Sequence, residues 1–306
     1  MKSLSATDFA EDLGVPVESL PACSLERLAT ADFRYAEIGW PELGPLVAHI
    51  LGVLEAELPV AGPDRLAAWE EGWTQNLREY LETGALDALI PKYLLKNGPL
   101  RHRGRYITPA SQRFEADYYM AACQALFHKH LAGATSVIDF GCGTGLALAM
   151  LSEMFPGTPL IGCDWATASQ DILQAIKSKT GKPIRGINFN MACPHDVVPF
   201  TEGCAAITIL AMEQLGEQWG PFLDYLLAQR PAICLHLEPI LELYDPTDLL
   251  DLLAIRYHRI RGYLSGFLTE LERLRGEGRV ALLDARRLRF GSLFHEAYSV
   301  VVWRPL

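Results

Sequence analysis

The run Ser136-Val137-Ile138-Asp139-Phe140-Gly141-Cys142-Gly143-Thr144-Gly145 constrains this chain more than any other segment. A short apolar stretch ends at an acid, glycines follow at alternating positions, and Leu146-Ala147-Leu148-Ala149-Met150-Leu151 comes next. The pattern predicts a strand, a tight turn and a helix buried on most faces. Glycine lacks the Cβ that would hold a ligand off the backbone, so such a turn suits a ligand lying against bare peptide groups. The dinucleotide pattern G-x-G-x-x-G needs a further glycine at 146 or 148, and both positions are leucine.

A second apolar stretch, Pro159-Leu160-Ile161-Gly162-Cys163-Asp164, also ends in a carboxylate. One helix and one return strand separate it from the glycines, which puts Asp164 beside the first turn, in reach of two ribose hydroxyls. Ile184 to Phe189 predicts a third strand, running into Asn190-Met191. In this order the segments resemble the first motifs of class I S-adenosylmethionine-dependent methyltransferases. The resemblance implies an α/β fold, a seven-stranded doubly wound sheet of the methyltransferase-like Rossmann type, with S-adenosyl-L-methionine as cofactor. It implies that Asp139, Gly141, Gly143 and Gly145 cradle the cofactor, that Asp164 holds the ribose, and that Trp165 lies against the adenine. Asn190 and Met191 would flank the base. Many relatives carry Asp at that position, and Asn can still accept the adenine amino bond through its carbonyl oxygen. Tyr118 and Tyr119 would reach the sulfonium, which aromatic rings attract. Adjacent helical residues diverge by about 100°, so at most one of the two faces the site.

Residues 1–110 read differently from residues 111–306. Apolar residues from Leu43 to Leu58 recur at helical spacing, Pro63-Asp64 opens a second helix through Trp69, Trp73 and Leu77, and Leu86 to Leu95 predicts a third, broken at Asn97-Gly98-Pro99. No strand pattern stands out, so the first segment is expected to be an all-helical cap over an S-adenosylmethionine-binding Rossmann-like domain. Trp69 and Trp73 suit its core, with a place in the pocket as the other reading. Further along, Ala205 to Ala211 and Ala232 to Glu238 predict strands four and five. Asp245-Pro246-Thr247-Asp248 starts one long helix ending at Gly276, and Arg279 to Phe290 and Ala297 to Trp303 form a closing pair of strands. The long helix offers a face to the cap or to a second copy of the chain, making a homodimer one expected arrangement.

Ligands of open α/β sheets bind outside the carboxyl ends of the strands. Glu213 follows strand four, while His236 and Glu238 end strand five and share a face by strand parity. A histidine beside carboxylates at that rim suits general-base work. The bland alternative is a satisfied core histidine and a glutamate capping a turn. Strand four ends in Met212-Glu213-Gln214-Leu215 rather than Asn-Pro-Pro-Tyr, the signature of enzymes that methylate nitrogens of DNA and proteins. The net charge of −10 opposes a nucleic-acid partner, which needs a basic surface. No run approaches the roughly 18 apolar residues of a membrane span. The first residues lack a secretion signal, and seven cysteines without paired C-x-x-C spacing suit reduced thiols in the cytoplasm rather than zinc or disulfides. These readings converge on methylation of an oxygen or nitrogen on a small molecule. Two alternatives keep the same cofactor site. One is cleavage or cyclisation of the cofactor's aminocarboxypropyl arm, as in azetidine-2-carboxylate synthases, which releases methylthioadenosine. The other is binding without catalysis.

Overall fold

The computed structural model describes every residue except 97 and 195–197, so Asn97, part of the expected helix break, lies outside the described residues. The chain opens with β1 (Lys2–Ser3) and α1 (Ala6–Leu13), whose start is locked by reciprocal bonds between Ser5 and Asp8. There follow α2 (Ala22–Thr30), β2 (Arg34–Glu37), α3 (Leu43–Glu55) and α4 (Leu66–Thr83), the last stopped by Gly84 in the left-handed region. The expected third helix is instead two single 3-10 turns, Leu86–Leu89 and Lys92–Leu95, parted by Pro91, whose missing N–H and ring cannot sit inside a continuous helix.

The first 110 residues are not all-helical. β3 (Leu100–His102) and β4 (Arg105–Pro109) pair in a hairpin, β4 pairs with β2 and β2 with β1, while residues 290–291 add the far edge beside β3. Strands of two to five residues are too short to show an alternating pattern, and one of them is supplied from the far end of the sequence. The segment is also fastened to the larger sheet's helical layer. Lys179 Nζ donates to the carbonyls of Tyr80 and Leu81, both at 2.7 Å, and Glu70 Oε1 accepts from the Ala168 N–H at 2.9 Å.

Beyond α5 (Phe114–Leu131) the chain alternates strand and helix. In order come β5 (Val137–Phe140), α6 (Leu146–Met154), β6 (Leu160–Asp164), α7 (Thr167–Thr180), β7 (Ile184–Asn188), β8 (Ala205–Ile209), α8 (Gly220–Gln229) and β9 (Ile233–Glu238). The predicted long helix is two, α9 (Leu249–Arg261) and α10 (Phe267–Gly276), because Gly262 turns left-handed at φ 59° and ends the first. Its cap is Asp248, which accepts from the Leu250 and Asp251 N–H groups, rather than the earlier Asp245. β10 (Val280–Arg287), β11 (Phe290–Gly291) and β12 (Ser299–Pro305) close the chain.

The large sheet has the order β10-β12-β9-β8-β5-β6-β7, parallel from β9 to β7, with β12 antiparallel to β9 and β10 antiparallel to β12. Alternate residues feed two cores, as strand geometry requires. Val137, Ile207, Leu235 and Val302 face α5, α6 and the N-terminal segment, while Ile138, Phe140, Cys234 and Trp303 face α8 and α10. From β5 the chain winds one way through β6 and β7 and the other through β8 and β9, so a crevice opens between β5 and β8 at the strand ends. No helix among the described residues is long and apolar enough to cross a membrane.

Candidate active site

A cavity of about 560 Å³ fills that crevice, a volume suited to a small ligand. Its floor is the glycine turn. Gly141, Gly143 and Gly145 all have positive φ, and a Cβ on Gly141 would stand 2.3 Å from the Ala211 Cβ, so the backbone there admits no larger residue. The Gly141 and Cys142 N–H groups donate to the Cys163 carbonyl, tying the turn to β6. Asp164 stiffens it from the other side: Oδ2 accepts from the Gly143 N–H at 2.8 Å and Oδ1 from the Ala166 N–H at 2.9 Å. Two N–H groups use about half of a carboxylate's accepting capacity, so Asp164, which lines the cavity, retains lone pairs for a ligand.

Asp139 is the other acid of the floor. It is buried, its Oδ1 accepts no hydrogen bond, and burial together with the nearby Asp164 and Glu238 raises its pKa to about 8. Burial also raises Asp164, to about 6, against the pull of its two N–H donors. A buried carboxyl with an open oxygen beside a ligand crevice is the arrangement that a cationic group would complete. Trp165, Asn190 and Met191 line the same end, with Asn190 Oδ1 already accepting from the Ala192 N–H at 2.9 Å. Of the two adjacent tyrosines, Tyr119 lines the cavity. Tyr118 does not: it is stacked on Phe290 at 3.7 Å between ring centroids, and its hydroxyl donates to Asp12.

The expected ionisable trio is not gathered at the cavity. His236 is fully buried in the sheet. Its Nε2 accepts from the Trp303 indole N–H at 2.9 Å, and an indole can only donate, so the proton sits on Nδ1 and is given to Thr208 Oγ1. With both ring nitrogens used and burial lowering its pKa to about 3, it is a neutral core residue rather than a base. Glu238 shares its face, as parity requires, but accepts from the Ala211 N–H through both oxygens and from the Met212 N–H through Oε1. It thereby braces the turn after β8, where Leu210 is held at φ 52°, a left-handed conformation that a leucine rarely adopts. Glu213 stands close to Glu238, accepts from Gln214 Nε2, and does not line the cavity; burial and Glu238 raise its pKa to about 8.

Other cavity residues emerge only in three dimensions. Trp69 and Trp73 of α4 stack at 5.3 Å, Tyr93 meets Trp69 edge-on, and the Trp73 ring lies over Gly143, so the N-terminal segment supplies an aromatic wall. Helical spacing placed both tryptophans on one stripe; it could not show that the stripe faces the glycine turn. Gln214, His258, Arg259 and Tyr263 line the cavity as well. His258 was hidden inside the apolar stripe of the predicted long helix, one residue from Tyr257.

No family profile matches the sequence, and no curated protein does. Solved structures with a similar course include the cyclase SpnF (TM-score 0.48, 14% identity, 82% of this chain and 98% of that one). An O-methyltransferase from neocarzinostatin biosynthesis, solved with S-adenosylmethionine and 2-hydroxy-5-methyl naphthoic acid, aligns over 99% of this chain and 90% of its own (TM-score 0.43, 13% identity). The pyocyanin biosynthetic protein PhzM aligns over 99% and 88% (TM-score 0.44, 13% identity). The strand order and the glycine turn at its switch point, with Asp139 near the end of β5 and Asp164 ending β6, make this a methyltransferase-like Rossmann fold.

Proposed function

We propose that this chain binds S-adenosylmethionine across the crevice and transfers its methyl group to an oxygen or nitrogen of a small molecule. The observation that supports this most is Asp139, whose buried Oδ1 accepts no bond at the edge of a glycine turn opening on a cavity. The cofactor's ammonium would pair with that oxygen and return the carboxyl to its charged form. Asp164 would take the ribose hydroxyls with its remaining lone pairs, and Trp165, Asn190 and Met191 would flank the adenine. When bound, the cofactor supplies a methyl carbon activated by the adjacent sulfonium. The chain's own task is alignment and exclusion of water, which Tyr119 and the Trp69–Trp73 wall suit, with cation–π attraction as a further contribution. The acidic charge supports a small molecule over a nucleic acid as acceptor.

The test is calorimetric titration with S-adenosylmethionine, then product analysis after incubation with the cofactor alone and with added cell extract. S-adenosylhomocysteine formed only with extract supports methyl transfer. Methylthioadenosine formed from the cofactor alone moves the reading to cleavage or cyclisation of its aminocarboxypropyl arm. Absence of binding heat overturns both.

A further inference from the structure

Four residues lining the cavity carry buried polar atoms without a hydrogen-bond partner: Trp69 Nε1, Asp139 Oδ1, Gln214 Oε1 and His258 Nδ1. Asp139 belongs to the cofactor end already described. Gln214 and His258 come from other elements, the turn after β8 and helix α9, and they meet neither the glycine turn nor Asp164 through any hydrogen bond described. Buried polar atoms left without partners are uncommon in native proteins, and several lining one cavity mark a place that a ligand completes.

The chemistry of these atoms narrows the ligand. Gln214 Nε2 donates to Glu213 Oε1 at 3.0 Å, and its Oε1, without a partner, can accept. His258 Nε2 shares one proton with His295 Nδ1 at 2.9 Å, so the open Nδ1 accepts in one tautomer and donates in the other. Burial and Arg101 hold the His258 ring neutral, with its pKa lowered to about 3. A hydroxyl both donates and accepts, and so satisfies either tautomer. Arg259 follows on the same helix, exposed at the cavity wall, with no hydrogen bond or ion pair to its side chain among the described residues. Tyr263, an aromatic residue, also lines the cavity.

We infer that this end of the cavity is an acceptor subsite for a hydroxylated aromatic acid, its hydroxyl held by Gln214 and His258 and its carboxylate by Arg259. The inference deepens the methyltransferase reading and rests on it for the word acceptor, but the subsite can be tested alone. The full chain is titrated by calorimetry with 2-, 3- and 4-hydroxybenzoate, benzoate and phenol, each with and without saturating S-adenosylhomocysteine. At least one hydroxybenzoate should bind about ten-fold or more tightly than both benzoate and phenol, because a site built to bond a hydroxyl rejects the analogue lacking it. Arg259→Gln should erase the advantage over phenol, while Gln214→Leu and His258→Phe should erase the advantage over benzoate. Arg259 is exposed, so its variant keeps the test open should His258→Phe fail to fold. The subsite is overturned if benzoate or phenol matches the best isomer, if none of the five binds, or if folded variants keep the wild-type ranking. Missing heat with S-adenosylhomocysteine strikes at the cofactor reading instead, and the ranking on the ligand-free protein still decides the subsite.

Discussion

His236 and His258 are both buried and both held neutral, yet they sit in opposite circumstances. His236 is closed: Trp303 and Thr208 use its two nitrogens, and the ring also packs edge-on against Phe267. His258 is half open: His295 takes one nitrogen and the other has no partner beside a cavity. What separates the two histidines is neither burial nor titration. It is the count of ring nitrogens left without a partner.

The largest expected effect breaks the comparison on the closed side. His236→Ala should cost roughly 2–5 kcal/mol of stability, since it opens a core cavity and orphans the Trp303 N–H. Urea unfolding reads this, and cofactor affinity measured on the folded variant should stay within a few-fold of wild type. A large loss of affinity with stability intact would return His236 to the active site. Next, Asp164→Ala should weaken S-adenosylmethionine binding by roughly 2–4 kcal/mol through loss of charge-assisted bonds and of the brace on Gly143. Wild-type affinity by calorimetry would remove Asp164 from the ribose. Gly143→Ala comes third, at about 1–2 kcal/mol of stability, because its φ is 50° and the new Cβ would lie 3.1 Å from the Trp73 ring. Loss of the Trp73 environment should appear in the fluorescence spectrum; an unchanged melting temperature would argue that the wall yields. Glu70→Ala should cost about 1 kcal/mol by uncapping the Ala168 N–H at the start of α7, again read by urea unfolding.

The smallest effect is a slope in pH. Asp139 and Glu213 are raised to about 8, and Glu115 and Glu238 to about 7. Between about pH 6.5 and 8.5 the unfolded carboxyls are ionised while the folded ones still hold protons, so stability should fall as pH rises through that window. The buried histidines His236, His258 and His295, lowered in the folded state while an unfolded imidazole titrates near 6.5, act in the opposite sense and offset part of the slope at the lower end of the window. Asp139→Asn should flatten the slope, and S-adenosylmethionine binding near pH 7 should release a proton from wild type but not from this variant. Equal proton release by both would show that the ammonium pairs elsewhere.

The cofactor half was legible because its information is local. A strand, its acid and three glycines occupy one short run, and Asp164 follows after a single helix and strand. Parity correctly put His236 and Glu238 on one face. It could not show that Trp303, arriving from the antiparallel β12, would seal that face before the rim. The proposed acceptor subsite was illegible for a related reason. Gln214, His258 and the tryptophan wall come from separate elements, and only tertiary packing makes them neighbours. The break at Gly262 could have been suspected from the glycine itself, but the apolar stripe running past it suggested continuity.

The small sheet carries a consequence for how the molecule comes into being. β3 is flanked on one side by β4, its hairpin partner, and on the other by β11, whose Phe290 lies against His102. A ribosome releases β3 long before β11 exists, so the N-terminal segment must wait, with an unpaired edge, until Phe290 and Gly291 have been made. The pairing of β3 with β11 spans about 190 residues of sequence, and loop-closure entropy makes such long-range pairing slow. A chain halted short of Phe290 would carry every residue proposed to hold the cofactor and still leave that edge open to a neighbouring molecule.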